Sequence, residues 1–172
     1  TKVGTHRERR HDYSADAARW SVENSLRLLR TDRLDSILIH DPPDIEDPLG
    51  AGRMLDELCR MKERGLFRFI GLGVRSHDFL CRAIETGRID IVLTHNDYTL
   101  LSQTAMERVI PLAQRRGVGV ILGSILASGR LAGPEPKPEA GPLAHRMWSF
   151  CRARGLSVRH LAIQYCLGLR MD

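Results

Sequence analysis

Short runs of β-branched and aliphatic residues alternate with amphipathic helical stretches along most of this chain, and that alternation leaves few folds open. Strands separated by helices cannot form hairpins; they return in the same sense through crossovers, into a parallel sheet. Strand ends are expected near residues 3, 40, 73, 95 and 123. Thr1-Lys2-Val3 reads as the end of one strand, with Leu34–His40, Phe67–Leu72, Ile89–Thr94 and Gly117–Leu122 following. Ser14 is placed to cap a helix starting near Ala15, whose Ala18, Val22, Leu26 and Leu29 recur at spacings of four and three. Met54, Leu55, Leu58 and Met61 mark a second helical stripe, Phe79–Ile84 a third and Ser102–Arg115 a fourth. The sheet is expected to carry helices on one or both faces.

Prolines and glycines punctuate this pattern. Asp41-Pro42-Pro43 ends the second strand, since proline cannot donate to a ladder and restricts the residue before it. Residues 134–142 hold four prolines and read as a loop, with short helices around Leu143–Arg152 and Ser157–Leu167 after it. The chain then stops where another strand is expected. It starts on Thr1 and not on methionine, which reads as a trimmed or partial product.

A chain of 172 residues, 42% hydrophobic, has the material for one domain, here read as spanning residues 1–172, and with only 5% aromatic residues its core must be aliphatic. The formal charge of +5 comes from 26 basic and 21 acidic residues that are interleaved, as on a solvated surface with a mild preference for anions. No element combines basic and aromatic residues as a nucleic-acid binder does. Cys59, Cys81, Cys151 and Cys166 lie far apart and form no metal-ligand spacing, which fits reduced thiols in a cytoplasmic protein with no metal. No apolar run approaches the roughly 20 residues that span a bilayer, and no signal peptide is evident.

His40 closes its strand, and in parallel α/β proteins ligands and catalytic groups gather at the carboxyl ends of strands. It is therefore a candidate proton donor or acceptor. Alone, it is equally a strand-end cap, Lys2 a surface lysine, His95 a satisfied polar residue and Gly123–Gly129 a small-residue turn. Trp20 and Trp148 read as packing. The segment His6–His11 is a charged loop that could also neutralise a phosphate.

Five segments in order resemble the aldo-keto reductase family, in the branch of the sugar and pyridoxal dehydrogenases. Thr1-Lys2-Val3-Gly4 is similar to the strand carrying that family's catalytic lysine, and Ser25-Leu26 through Ile39-His40-Asp41-Pro42 to the signature containing its catalytic histidine. Phe69-Ile70-Gly71-Leu72-Gly73, Tyr98-Thr99-Leu100-Leu101 and Ser124–Leu131 resemble its next strand, a Y-x-L-L segment and its cofactor loop. The resemblance implies a parallel (β/α)8 TIM-type barrel, of which about five of eight strands are present. It implies hydride transfer between NADP, or alternatively NAD, and a small-molecule carbonyl or alcohol such as an aldehyde or aldose. Lys2 and His40 are the implied catalytic residues; His95, Gly123, Ser124, Ile125, Leu126 and Ser128 are implied to meet the cofactor, with the backbone N–H groups of Leu126–Gly129 around its pyrophosphate.

Departures from the family pattern are equally specific. No aspartate and tyrosine precede Lys2, and Gly73 and Val74 stand where many members carry serine and asparagine for the nicotinamide amide; Arg75 or Ser76 are the available substitutes. His95 replaces a glutamine. The chain is accordingly expected to be the central portion of an oxidoreductase, inactive alone and prone to self-association through exposed sheet edges. The alternative is a non-catalytic module on the same scaffold that binds a nicotinamide nucleotide.

Overall fold

In the computed structural model, which describes residues 1–171, every expected strand forms and pairs with its sequence neighbour. The strands are β1 (Lys2–Val3), β2 (Leu34–His40), β3 (Phe67–Gly73), β4 (Ile91–His95) and β5 (Gly119–Gly123), all parallel and in the order β1-β2-β3-β4-β5. Between them run α1 (Ala15–Leu29), α2 (Glu46–Leu49), α3 (Met54–Glu63), α4 (His77–Glu85) and α5 (Val109–Arg116); α6 (Pro142–Ala153) and α7 (Val158–Leu167) follow β5.

Local chemistry sets these boundaries. The Ser14, Ser76 and Ser157 hydroxyls accept the N–H groups of Ala17, Phe79 and His160 and cap α1, α4 and α7. The helix expected over 102–115 divides into a 3-10 turn, Thr104–Met106, and α5. Pro111 explains the division: it lacks the N–H that an interior helical position needs, but is tolerated in the first turn of a helix beginning at Val109. Pro142 likewise opens α6 and is not part of the preceding loop. The fourth strand starts at Ile91, two residues later than expected, because the Asp90 carboxylate accepts the Ile70 N–H and pairs with Lys62. The short helix α2 follows Asp44, whose carboxylate accepts the Glu46 N–H.

Strand register separates two sets of side chains. Val3, Ile37, Ile39, Ile70, Leu72 and Val92 point to one face and are buried in a core with Ala18, Val22, Leu55, Leu58, Leu80 and Ile84 of the helices. Lys2, Leu38, His40, Phe69, Gly71, Gly73, Leu93, His95, Ile121 and Gly123 share the other face. Helices thus cover one face of the sheet, in the manner of a barrel wall seen from outside. Two smaller clusters seat α6 and α7 against the segment after β5, through Ala127, Leu131, Cys151, Val158 and Ala162 and through Tyr98, Ile110 and Cys166.

Candidate active site

The inner face brings Lys2 and His40 together at the carboxyl ends of neighbouring strands. Parallel register pairs Lys2 with Leu38 and Val3 with Ile39, so Lys2 rises on the same face as His40. Its Nζ lies 2.9 Å from His40 Nε2. An ammonium only donates, so Nε2 accepts and the proton of the neutral ring sits on Nδ1, 3.1 Å from Thr5 Oγ1. A hydroxyl both donates and accepts, so Thr5 also suits the ring with its proton on Nε2. Burial holds the imidazole below its ordinary pKa; Asp41, whose Oδ2 is 3.6 Å from Nε2, opposes this, and the Lys2 charge reinforces it.

Tyr13 fixes the backbone beneath this pair. Its hydroxyl donates to the His40 carbonyl at 2.8 Å, and its ring is fully buried against Gly4. A Cβ on Gly4 would come within 2.2 Å of the ring, and Gly4 has a φ of +98°, so glycine is required twice over. Burial, with Asp41 adding to it, pushes the phenol up to about 12. Tyr13 is therefore a structural anchor whose proton is committed to a backbone oxygen.

His95 and the residues after β5 form a second group, across β3 from the first. His95 pairs in register with Gly123 and shares the inner face with His40, but its ring makes no hydrogen bond among the described residues. Gly123 has no room for a side chain: a Cβ would stand 2.6 Å from the Thr94 carbonyl. Ser124, Ala127, Ser128 and Gly129 all have positive φ, which folds the loop tightly on itself. Of the N–H groups expected to face a ligand, those of Ala127, Ser128 and Gly129 are bonded to Ser124 O, Ser124 Oγ and Leu126 O. The Ser124 and Ser128 hydroxyls, 3.3 Å apart, remain at the surface of the turn. Ile125 and Leu126 turn their side chains into the two small hydrophobic clusters and anchor the loop.

Sequence reasoning placed Lys2 and His40 but missed Thr5, which belongs to no motif and meets His40 only through the fold. It also missed the contact of His77 Nε2 with Asp97 Oδ2 at 2.7 Å, which ties the start of α4 to the segment after β4. The Ser76 hydroxyl accepts the Phe79 N–H as the α4 cap and keeps its own proton to donate. The small inner-face residues Gly71 and Gly73, the open His95 ring and the serine turn fit a flat, phosphate-bearing cofactor lying along the strand ends.

A parallel five-stranded sheet with its helices on one face is a section of a TIM-type (β/α) barrel. Residues 1–170 match the aldo/keto reductase family, and the chain belongs to it. It is 29% identical to a D-threo-aldose 1-dehydrogenase from Pseudomonas over 92% of this chain and 52% of that protein. It is 28% identical to the L-galactose dehydrogenase of Arabidopsis thaliana, over 97% and 54%. An aldo-keto reductase from Bacillus halodurans, solved in its holo form, superposes with a TM-score of 0.77 at 25% identity, over 97% of this chain and 56% of that one. The chain spans about half the length of the relatives it matches. No helix among the described residues is long and apolar enough to cross a membrane.

Proposed function

We propose that this chain carries the lysine–histidine part of the active site of an NAD(P)-dependent oxidoreductase acting on an aldehyde or aldose, with NADP the expected cofactor and NAD the alternative. The observation behind this reading is the 2.9 Å contact of Lys2 and His40 at adjacent strand ends. A bound nicotinamide supplies or accepts the hydride. Hydride arriving at a carbonyl carbon leaves negative charge on its oxygen, and a proton must follow to give the alcohol. Lys2 places a positive charge beside that oxygen. When the carbonyl oxygen takes the place of the Lys2 ammonium at Nε2 and the Thr5 hydroxyl donates to Nδ1, the His40 proton sits on Nε2, which donates to that oxygen and orients the carbonyl. Ser124, Ser128 and the Gly123 backbone meet the cofactor's phosphates, and His95 its amide end.

Neither Tyr13 nor Tyr98 is placed to donate that proton. Tyr13 is bonded to His40 O, Tyr98 is buried and stacked on Tyr165 at 5.3 Å, and both lie outside the inner face. The chain alone is therefore expected to bind NADPH weakly and not to reduce aldehydes, and its free β1 and β5 edges favour self-association. A second reading, nucleotide binding without catalysis, is favoured by one observation: Gly73 and Val74 offer no side-chain hydrogen bond to an amide.

Fluorescence titration with NADPH and NADH, coupled to an aldehyde turnover assay, tests these readings on the chain and on a chimera in which the Pseudomonas relative supplies the remaining barrel. Turnover in the chimera that disappears in Lys2→Met and His40→Ala supports the oxidoreductase. Saturable binding with no turnover selects the second reading, and absence of binding in both proteins rejects both. Turnover by the 172-residue chain itself, lost in the same variants, would show that a donor is present after all.

A further inference from the structure

The loop between β1 and α1 holds a charge arrangement that the reaction above does not use. It starts at Thr5, whose hydroxyl touches His40. Thr5 and Arg10 form an isolated antiparallel bridge, which sets their Cα atoms roughly 5 Å apart. Thr5, His6, Arg7, Arg10 and His11 together line a cleft of about 310 Å³. Through Thr5 this cleft adjoins the Lys2–His40 pair.

The three arginines of the loop are not equivalent. Arg9 is bonded to Asp16 at 2.8 Å and lies over the Trp20 ring. Arg7 and Arg10 are exposed, and neither has a carboxylate partner among the described residues. Glu8, the loop's one acid before Asp12, lines a different cleft, against Trp20, Glu23 and Arg27 of α1. Asp41 Oδ2 lies 3.6 Å from His40 Nε2, the same nitrogen that Lys2 Nζ meets at 2.9 Å. The cleft therefore retains two unpaired guanidinium groups, whose planar fork of N–H donors suits a phosphate or carboxylate. The serine turn expected to hold the cofactor's phosphates follows β5, at the other edge of the sheet, so these arginines are free for a different anion.

We propose that Arg7 and Arg10 bind an anionic group, phosphate or carboxylate, on the substrate whose carbonyl meets Lys2 and His40. This inference rests on the reading of that pair as a carbonyl site, and it makes acidic or phosphorylated sugars better ligands than neutral ones. The test is calorimetric titration of the chain with D-glucose 6-phosphate, D-glucuronate, D-glucose and inorganic phosphate, in the wild type and in Arg7→Gln, Arg10→Gln and Arg64→Gln.

At least one charged sugar is expected to bind about tenfold more tightly than D-glucose, the scale of a charge-assisted hydrogen bond. Which of the two holds the advantage tells phosphate from carboxylate. The advantage should fall severalfold in Arg7→Gln and Arg10→Gln and persist in Arg64→Gln, which changes an exposed arginine at the end of α3. Equal binding of the three sugars, or no detectable binding of either charged one, overturns the proposal. So does inorganic phosphate binding as tightly as glucose 6-phosphate, which would mark an anion site with no hold on the sugar. NADPH titration separates the failures: NADPH binding without charged-sugar preference sinks this inference alone, whereas an arginine-dependent preference in a chimera that binds no nucleotide sinks the oxidoreductase.

Discussion

Alternate residues of the same five strands build two faces of opposite character. On the helix-covered face, Val3, Ile37, Ile39, Ile70, Leu72 and Val92 are each no more than 2% exposed and pack into one core. On the other face stand Lys2 and His40, the glycines Gly71, Gly73 and Gly123, and the partly exposed Phe69 and Ile121. A one-residue step along a strand thus moves from stabilising burial to the face that carries the proposed site. The lesson is a division of labour. Packing on the outside holds strand ends in place, and the inside is free to carry groups chosen for reactivity or for being small.

Mutations on the two faces should therefore differ in size. Leu72→Ala, which empties a site with no exposure to solvent, is expected to cost about 2–5 kcal/mol in urea unfolding. A loss under about 1 kcal/mol would break the contrast. A smaller effect comes from His40. Its folded pKa lies below the ordinary 6.5, so the unfolded chain binds the proton more readily. Its contribution to stability is complete above about pH 6.5 and is lost as pH falls through that value and the depressed folded one. Thermal melts at pH 7.5 and 5.5 should show this loss reduced in His40→Gln; an unchanged slope would assign the pH dependence to other groups. The smallest effect is expected from Ile121→Thr, which keeps the β-branch at a site 42% exposed on the inner face, and should stay within about 1 kcal/mol.

The outer face was the legible one. Its aliphatic residues recur with strand and helix periods, so the five strands, their parallel sense and the α1 cap at Ser14 could be written from the sequence. Lys2 and His40 were found as members of a motif. Thr5 and Tyr13 were not, because each acts through a contact made 35 or 27 residues away, and neither residue type announces such a role. The serine turn was located, but its hydrogen bonds were not. Whether an N–H points outward or closes its own loop depends on the left-handed conformations of Ser124, Ala127 and Ser128, which no composition rule places at these non-glycine residues.

The anchoring by Tyr13 has a consequence for how such a protein changes over generations. Thr5 grips the histidine ring at one end of the β1–α1 loop, and Tyr13 grips its backbone at the other. The residues between, from His6 to Asp12, can then be exchanged as a cassette while the Lys2–His40 pair stays where it is.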